Sequence, residues 1–230
     1  MESTLRINLE TLSPLEMLLA IENHKKQSLN SQTDSEEIPQ TTVDVVGAKG
    51  QDYIGAGVRG IYTLLIHGPI GDFGLCAFCD GECNIEGNVG NFVGHSIHSG
   101  ILMVTGNALH SVGALGTGGL ITIYGTAGDR AAVGLQGSDV VFRGSVGDFA
   151  CLGMQSGTVI IGGNAGHHLG YGMRGGTIYI RGDAESVSPD IEEQRLREPD
   201  RLKIGLLLLK AGIKSAGKDF RVYRPVNVES

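Results

Sequence analysis

A parallel β-helix is the fold this 230-residue chain predicts, and three observations predict it. First, one glycine recurs every 19 residues, at Gly68, Gly87, Gly106, Gly125, Gly144, Gly163 and Gly182. A fixed period near twenty residues marks a solenoid. Second, two further columns keep that period. Gly71, Gly90, Gly128, Gly147 and Gly166 stand three places on, and Gly81, Gly100, Gly119, Gly157 and Gly176 stand thirteen places on. Third, each repeat glycine follows an alternating apolar run. Two places before it stand Ile66, Ile85, Val104, Ile123, Phe142, Ile161 and Ile180, and four before it Leu64, Cys83, Leu102, Ile121, Val140, Val159 and Ile178. That pattern is a strand with the even offsets facing inward.

Ser13-Pro14-Leu15-Glu16 forms a capping box with proline at the first helical position, so a helix is expected from about Pro14 to Lys26. Its expected face is Leu15, Leu18, Leu19 and Glu22, and the polar run Gln27 to Gln40 reads as a linker. A first coil starts at Val43-Asp-Val-Val-Gly47, before a two-residue slip in register. Each coil should then hold two or three short strands between glycine corners, where positive φ or close backbone approach excludes a Cβ. A second inward column lies two places after the glycine, at Ile70, Val89, Ala108, Ala127, Val146, Ala165 and Ala184. Places eight and ten after it are also expected inward, among them Cys76, Ala114, Val133, Leu152, Phe78, Ile97, Leu135 and Met154. Parallel pairing about 4.8 Å apart gives a rod of roughly 35 Å. Beyond a polar stretch from Ser186 to Asp200, a second helix is expected over Leu202 to Lys214, with Ile204, Leu207, Leu208 and Ala211 on its apolar side. Phe220 to Pro225 reads as a closing strand. The chain thus divides into an N-terminal helix and linker (1–42), a β-helix (43–185) and a helical extension (186–230).

Of the 37 glycines, 34 lie between Gly47 and Gly182, which marks the solenoid's limits. A formal charge of −7 offers no basic field for nucleic acid. Leu206 to Leu209 is far too short to span a bilayer, and no signal peptide is read, so a cytoplasmic protein with reduced thiols is expected.

Candidate chemistry is weighed against the columns. Cys76-x-x-Cys79 and His95-x-x-His98 stack on adjacent coils and suggest zinc. Residues three apart on a strand face opposite sides, so four ligands would not converge and thiols of the core or surface are expected instead. Asp72, Asn91, Asp129 and Asp148 form a column with His110 and His167, and Asn88, Asn107, Asn164 and Asp183 form another. A carboxylate ladder suits polysaccharide cleavage, but Asx residues beside corner glycines are expected to bond local backbone. Catalytic, cofactor-binding and metal-ligating residues are therefore all expected to be absent from this chain.

The coils Gly125-Thr-Ala-Gly128, Gly144-Ser-Val-Gly147 and Gly163 to Gly182 resemble the GXGXG β-helix of glutamate synthase. The resemblance covers about Val43 to Ala184 and, with the crossover preference of parallel strands, implies a right-handed helix. The chain is most similar to the β-helix subunit of N-methylglutamate synthase and of split glutamate synthases. That resemblance implies a non-catalytic spacer in a hetero-oligomer. One partner would resemble a class II glutamine amidotransferase, and the other an FMN-binding, iron–sulfur synthase subunit holding both cofactors. Formylmethanofuran dehydrogenase has a related subunit, and a stand-alone β-helix enzyme acting on polysaccharide is the reading from a different class.

Overall fold

Neighbouring coils pair where their alternating runs come into step, and the pairing follows the 19-residue period. The computed structural model describes residues 3–30, 41–60, 62–214, 217 and 219–226. The repeat builds β3 (Tyr62–His67), β4 (Glu82–Glu86), β5 (Ile101–Val104), β6 (Leu120–Ile123), β7 (Gln136–Phe142), β8 (Ser156–Ile161) and β9 (Thr177–Ile180). These are parallel, with Leu64, Cys83, Leu102, Ile121, Val140, Val159 and Ile178 in one register line. All seven are fully buried, as are Ile66, Ile85, Val104, Ile123, Ile161 and Ile180. β2 (Thr41–Val46) joins with Val43 opposite Leu64, the expected two-residue slip.

The rest of each coil is less sheet-like than expected. The second inward column makes one parallel bridge per coil, from Ile70 through Val89 to Ala184. The third side is a run of turns. Its inward residues lie six, seven and ten places after the repeat glycine, as in Val93, Leu75, Cys151 and Leu135. Place eight is not inward as expected: Cys76, His95, Val133 and Leu152 are half-buried, and only Ala114 is enclosed.

Both rod ends are closed. At the first, β1 (Ser3–Asn8), which the sequence reading missed, pairs parallel with β2. The α-helix α1 (Pro14–Asn30) lies beside it. The capping box forms, with Ser13 N–H donating to Glu16 Oε2 at 2.7 Å and Glu16 N–H to Ser13 Oγ at 3.3 Å. Gln27 to Asn30 continue the helix, and residues 31–40 of the expected linker lie outside the described residues. The buried face of α1 is only partly the expected one, since Leu18 packs against the core but is not at the centre of the contact. Met17 and Ile21 are enclosed, while Leu15 and Leu19 stand 65% and 53% exposed. At the far end, β11 (Arg221–Pro225) runs antiparallel to β9, and β10 (Ile191–Gln194) runs antiparallel to β11. All eleven strands belong to one sheet.

The second helix, α2 (Glu198–Lys210), starts four residues before its expected position. Ile204, Leu207, Leu208 and Ala211 are buried as the periodicity implied. They lie against the outer face of the sheet, in a second core with Leu120, Val141, Ile160, Tyr179, Phe220 and Val222. Tyr124 Oη donates to Ala211 O at 2.6 Å below the helix end. At its start, the Asp200 carboxylate accepts from Arg197 N–H at 2.9 Å, from Tyr179 Oη at 2.8 Å and from Arg224. Burial pushes the Asp200 carboxyl up, but these donors outweigh it and hold the group below its usual range.

Candidate functional site

The Asx columns bond across coils, not locally. Asp72 Oδ1 accepts from Asn91 N–H at 2.7 Å, and Asn91 Oδ1 from His110 N–H at 3.1 Å. His110 Nδ1 accepts from Asp129 N–H at 2.9 Å, Asp129 from Asp148 N–H at 3.0 Å, and Asp148 from His167 N–H at 2.7 Å. The neighbouring column repeats the device, from Asn88 to Asn107, Asn107 to Thr126 and Asn164 to Asp183. Each side chain satisfies a backbone N–H one coil on, which corrects the expectation of local turns. The glycine column beside it makes this possible, since a Cβ on Gly166 would run into the Asp148 carboxylate. A shallow groove along this corner is lined by Asp52, Asp72, Asn88 and Asn107. All four are already engaged as acceptors from the next coil. An Asx ladder whose oxygens hold the backbone is poorly placed for general acid–base work.

The cysteine–histidine constellation does not converge, although its segment is a run of turns with Cys76 and Cys79 both half-buried, not the expected strand with opposed faces. Cys76 Sγ lies 4.0 Å from His95 Nδ1, whereas Cys79 Sγ contacts Asp80 and Ser99, each at 3.5 Å. His98 Nδ1 meets Thr117 Oγ1 at 2.9 Å. Among the described residues, no three His, Cys, Asp or Glu side chains are placed to hold a metal ion. Cys83 sits inside the rod, and burial pushes its thiol up. Burial also pushes Cys151 up to about 12. Burial raises Cys76 as well. Thiols with raised pKa values are poor nucleophiles and poor ligands.

Two arrangements were missed. His67 bridges three strands, with Nε2 2.9 Å from Asp44 Oδ1 and Nδ1 2.6 Å from Glu86 Oε2, while Arg6 approaches Asp44 at 3.6 Å. The hydrogen bond to Glu86 raises the His67 pKa, partial burial opposes it, and Asp44 adds to the rise. The 19-residue spacing of His67 and Glu86 was the available signal.

The second is a stack on the turn side, where Tyr53, Phe73 and Phe92 lie parallel with ring centroids 5.5 and 4.9 Å apart. Phe149 and His168 stack further along at 4.8 Å. Phe73, Phe92, Ser111, Arg130, Phe149 and His168 recur every 19 residues, all with φ between 54° and 61°. A left-handed residue with a side chain costs about 1–2 kcal/mol. Here the N–H of each of Phe73, Phe92, Ser111, Arg130 and Phe149 bonds a carbonyl of the next coil at 2.7–3.0 Å, which offsets that cost.

The polar chemistry of the rod is thus turned to holding coil to coil. Both flanking helices also turn leucines outward: Leu15 and Leu19 on α1, and Leu202, Leu206 and Leu209 on α2. The model of the GXGXG motif family matches residues 16–203. The chain belongs to the GXGXG motif family. No curated protein matches this GXGXG chain. Among solved structures, it resembles a chain of the formyltransferase/hydrolase complex (FhcABCD) from Methylorubrum extorquens, determined with methylofuran. The TM-score is 0.55 and the identity 24%, over 93% of this chain and 90% of that one. At that identity the likeness speaks for the fold. No helix among the described residues is long and apolar enough to cross a membrane.

Proposed function

We propose that this chain is a structural, non-catalytic subunit of a multi-subunit enzyme of glutamate-synthase type. In this reading the enzyme is N-methylglutamate synthase, which forms N-methylglutamate and ammonia from glutamate and methylamine. The rod, residues 43–185, is a spacer, flanked by an N-terminal helix and linker, 1–42, and a helical extension, 186–230. One partner is a glutamine amidotransferase-like subunit. The other is a glutamate synthase-like subunit that carries FMN and an iron–sulfur cluster. Cys76, Cys79 and Cys83 do not fit such a cluster, because Cys83 lies inside the rod while Cys76 and Cys79 turn to different neighbours.

One observation carries this reading. The Asx, His and Cys columns that could have made an active site are engaged in inter-coil contacts or buried, while leucines on both flanking helices face outward. Exposed apolar ridges on otherwise well-packed helices favour a chain that works against partners. The likeness to a chain of the formyltransferase/hydrolase complex supports a second reading, a spacer in an assembly of that kind.

Purification through a tag on this chain, from cells that make it, tests both. The isolated chain is expected to be colourless and inactive. The assembly is expected to carry flavin and to move label from methylamine into N-methylglutamate. Flavin bound to the isolated chain would overturn the non-catalytic assignment. An assembly active in formyl transfer, and inert to methylamine, would replace the first reading by the second.

A further inference from the structure

A helix lying on a sheet needs one apolar stripe, and α2 has two. Ile204, Leu207, Leu208 and Ala211 cover the sheet. Leu202, Leu206 and Leu209 lie on the opposite side, 64%, 52% and 75% exposed. Their spacing of four and then three residues is the seam by which one helix packs on another.

Gly205 sits beside this seam in the helix interior, and a Cβ built there would meet nothing within 4 Å. Its φ is not left-handed, so neither conformation nor crowding within the chain calls for glycine. Glycine weakens a helix interior relative to alanine. What it does allow is close approach of a second backbone.

Charge narrows the occupant. The chain is acidic overall, at −7. On α2 the exposed charges run the other way. Glu198 is bridged to Arg201 at 3.1 Å. Lys203 and Lys210 lie along one edge of the leucine seam, both exposed, with no ion pair among the described residues. A second copy of α2 would bring lysines toward lysines. An acidic segment would complement them.

We propose that the outward ridge of α2, Leu202, Leu206 and Leu209 beside Gly205, seats an amphipathic helix of another subunit whose apolar stripe is flanked by acidic side chains. This rests on the reading of the chain as a subunit and adds where one partner binds and by what chemistry. The leucines supply the apolar seam, Gly205 sets a close crossing, and Lys203 and Lys210 fix the orientation of the bound helix.

The test uses the assembly purified through a tag on this chain. A benzophenone amino acid placed at position 206 is expected to crosslink to a helix of another subunit that bears acidic flanks. Leu206→Glu and Gly205→Leu are each expected to lower recovery of that subunit by about tenfold or more, the size of effect a central interface residue shows. Both positions are outside the cores, so the melting temperature of the isolated variant should stay within that of the parent or rise for Gly205→Leu. Lys203→Glu with Lys210→Glu should weaken assembly and reverse its salt dependence.

Unchanged assembly of Leu206→Glu would overturn the proposal while leaving the subunit reading intact, since the partners would then dock elsewhere. A parent chain that purifies alone would remove both. Crosslinks to a second copy of the chain would replace the proposal with self-pairing. Flotation of the parent with phosphatidylcholine–phosphatidylserine vesicles, lost in Leu206→Glu, would replace it with a membrane surface.

Discussion

The outer face of the sheet has two halves that share one interior. Over β3 to β5 the outward residues Leu65, Asn84 and Met103 are half-buried and uncovered by α2. Over β6 to β9 the same column reads Thr122, Val141, Ile160 and Tyr179, all fully or nearly fully buried. α2 and β11 account for the difference, since Ile204, Leu207, Leu208, Phe220 and Val222 pack there. The polar fastenings differ to match. The covered half is pinned by a buried Asp200 with Tyr179, Arg197 and Arg224. The open half carries an exposed row of Arg6, Asp44, His67 and Glu86. A repeat therefore fixes the inside of a rod, while its outside is free to become either core or surface along the same strand line.

The largest effect should come from the shared interior. Ile123→Asp puts a carboxylate without a partner into the inner ladder, and we expect the rod not to fold cooperatively. A soluble variant with a sharp thermal transition would refute the inner register. Next comes the covered outer face. Ile160→Asp should cost about 3–5 kcal/mol, as for an uncompensated buried charge, whereas Met103→Asp on the open half should stay within about 0.5 kcal/mol. Equal losses in urea unfolding would erase the distinction between halves.

A smaller loss is expected from the pin. Tyr179→Phe removes the hydroxyl that donates to Asp200 and should cost about 1.5–3 kcal/mol, the range for a bond to a charged group. Amide exchange in α2 should quicken more than in α1.

The smallest effect belongs to the open half and depends on pH. The folded-state pKa of His67 lies above its unfolded value, with Glu86 the main cause. Its contribution is then complete below an unfolded pKa of about 6.5 and fades as pH rises through the folded value. His67→Gln should lower stability by no more than about 1 kcal/mol at pH 6, as for exposed pairs. Its deficit should shrink toward pH 9. A deficit that grows with pH would reverse the assignment.

Much of this was legible in the residues. The inner columns, the two-residue slip at Val43, the capping box at Ser13 and the buried face of α2 all follow from periodicity that one chain carries within itself. The face of α1 was misread because the helix holds two stripes, Leu15 with Leu19 and Met17 with Ile21, and only contact with the rod end selects the second. β1 and β10 escaped notice because neither repeats. The left-handed column at Phe73, Phe92 and Arg130 has no glycine to announce it; bonds to the next coil override local propensity there. The Asx column was recognised as structural, but its reach of 19 residues could not be seen while the coils were unstacked.

That reach has a direction. In every link of the column, from Asp52 through Asp148, the side chain belongs to the earlier coil and the amide it receives belongs to the later one. A coil therefore presents a row of acceptors on the edge that meets the following coil. Main-chain bonds run both ways, since the N–H of Phe73, Phe92 and Arg130 donates forward to the following coil, so the direction belongs to the side-chain column alone. The column thus gives the rod a polarity, with acceptors offered on the face of each coil that meets its successor.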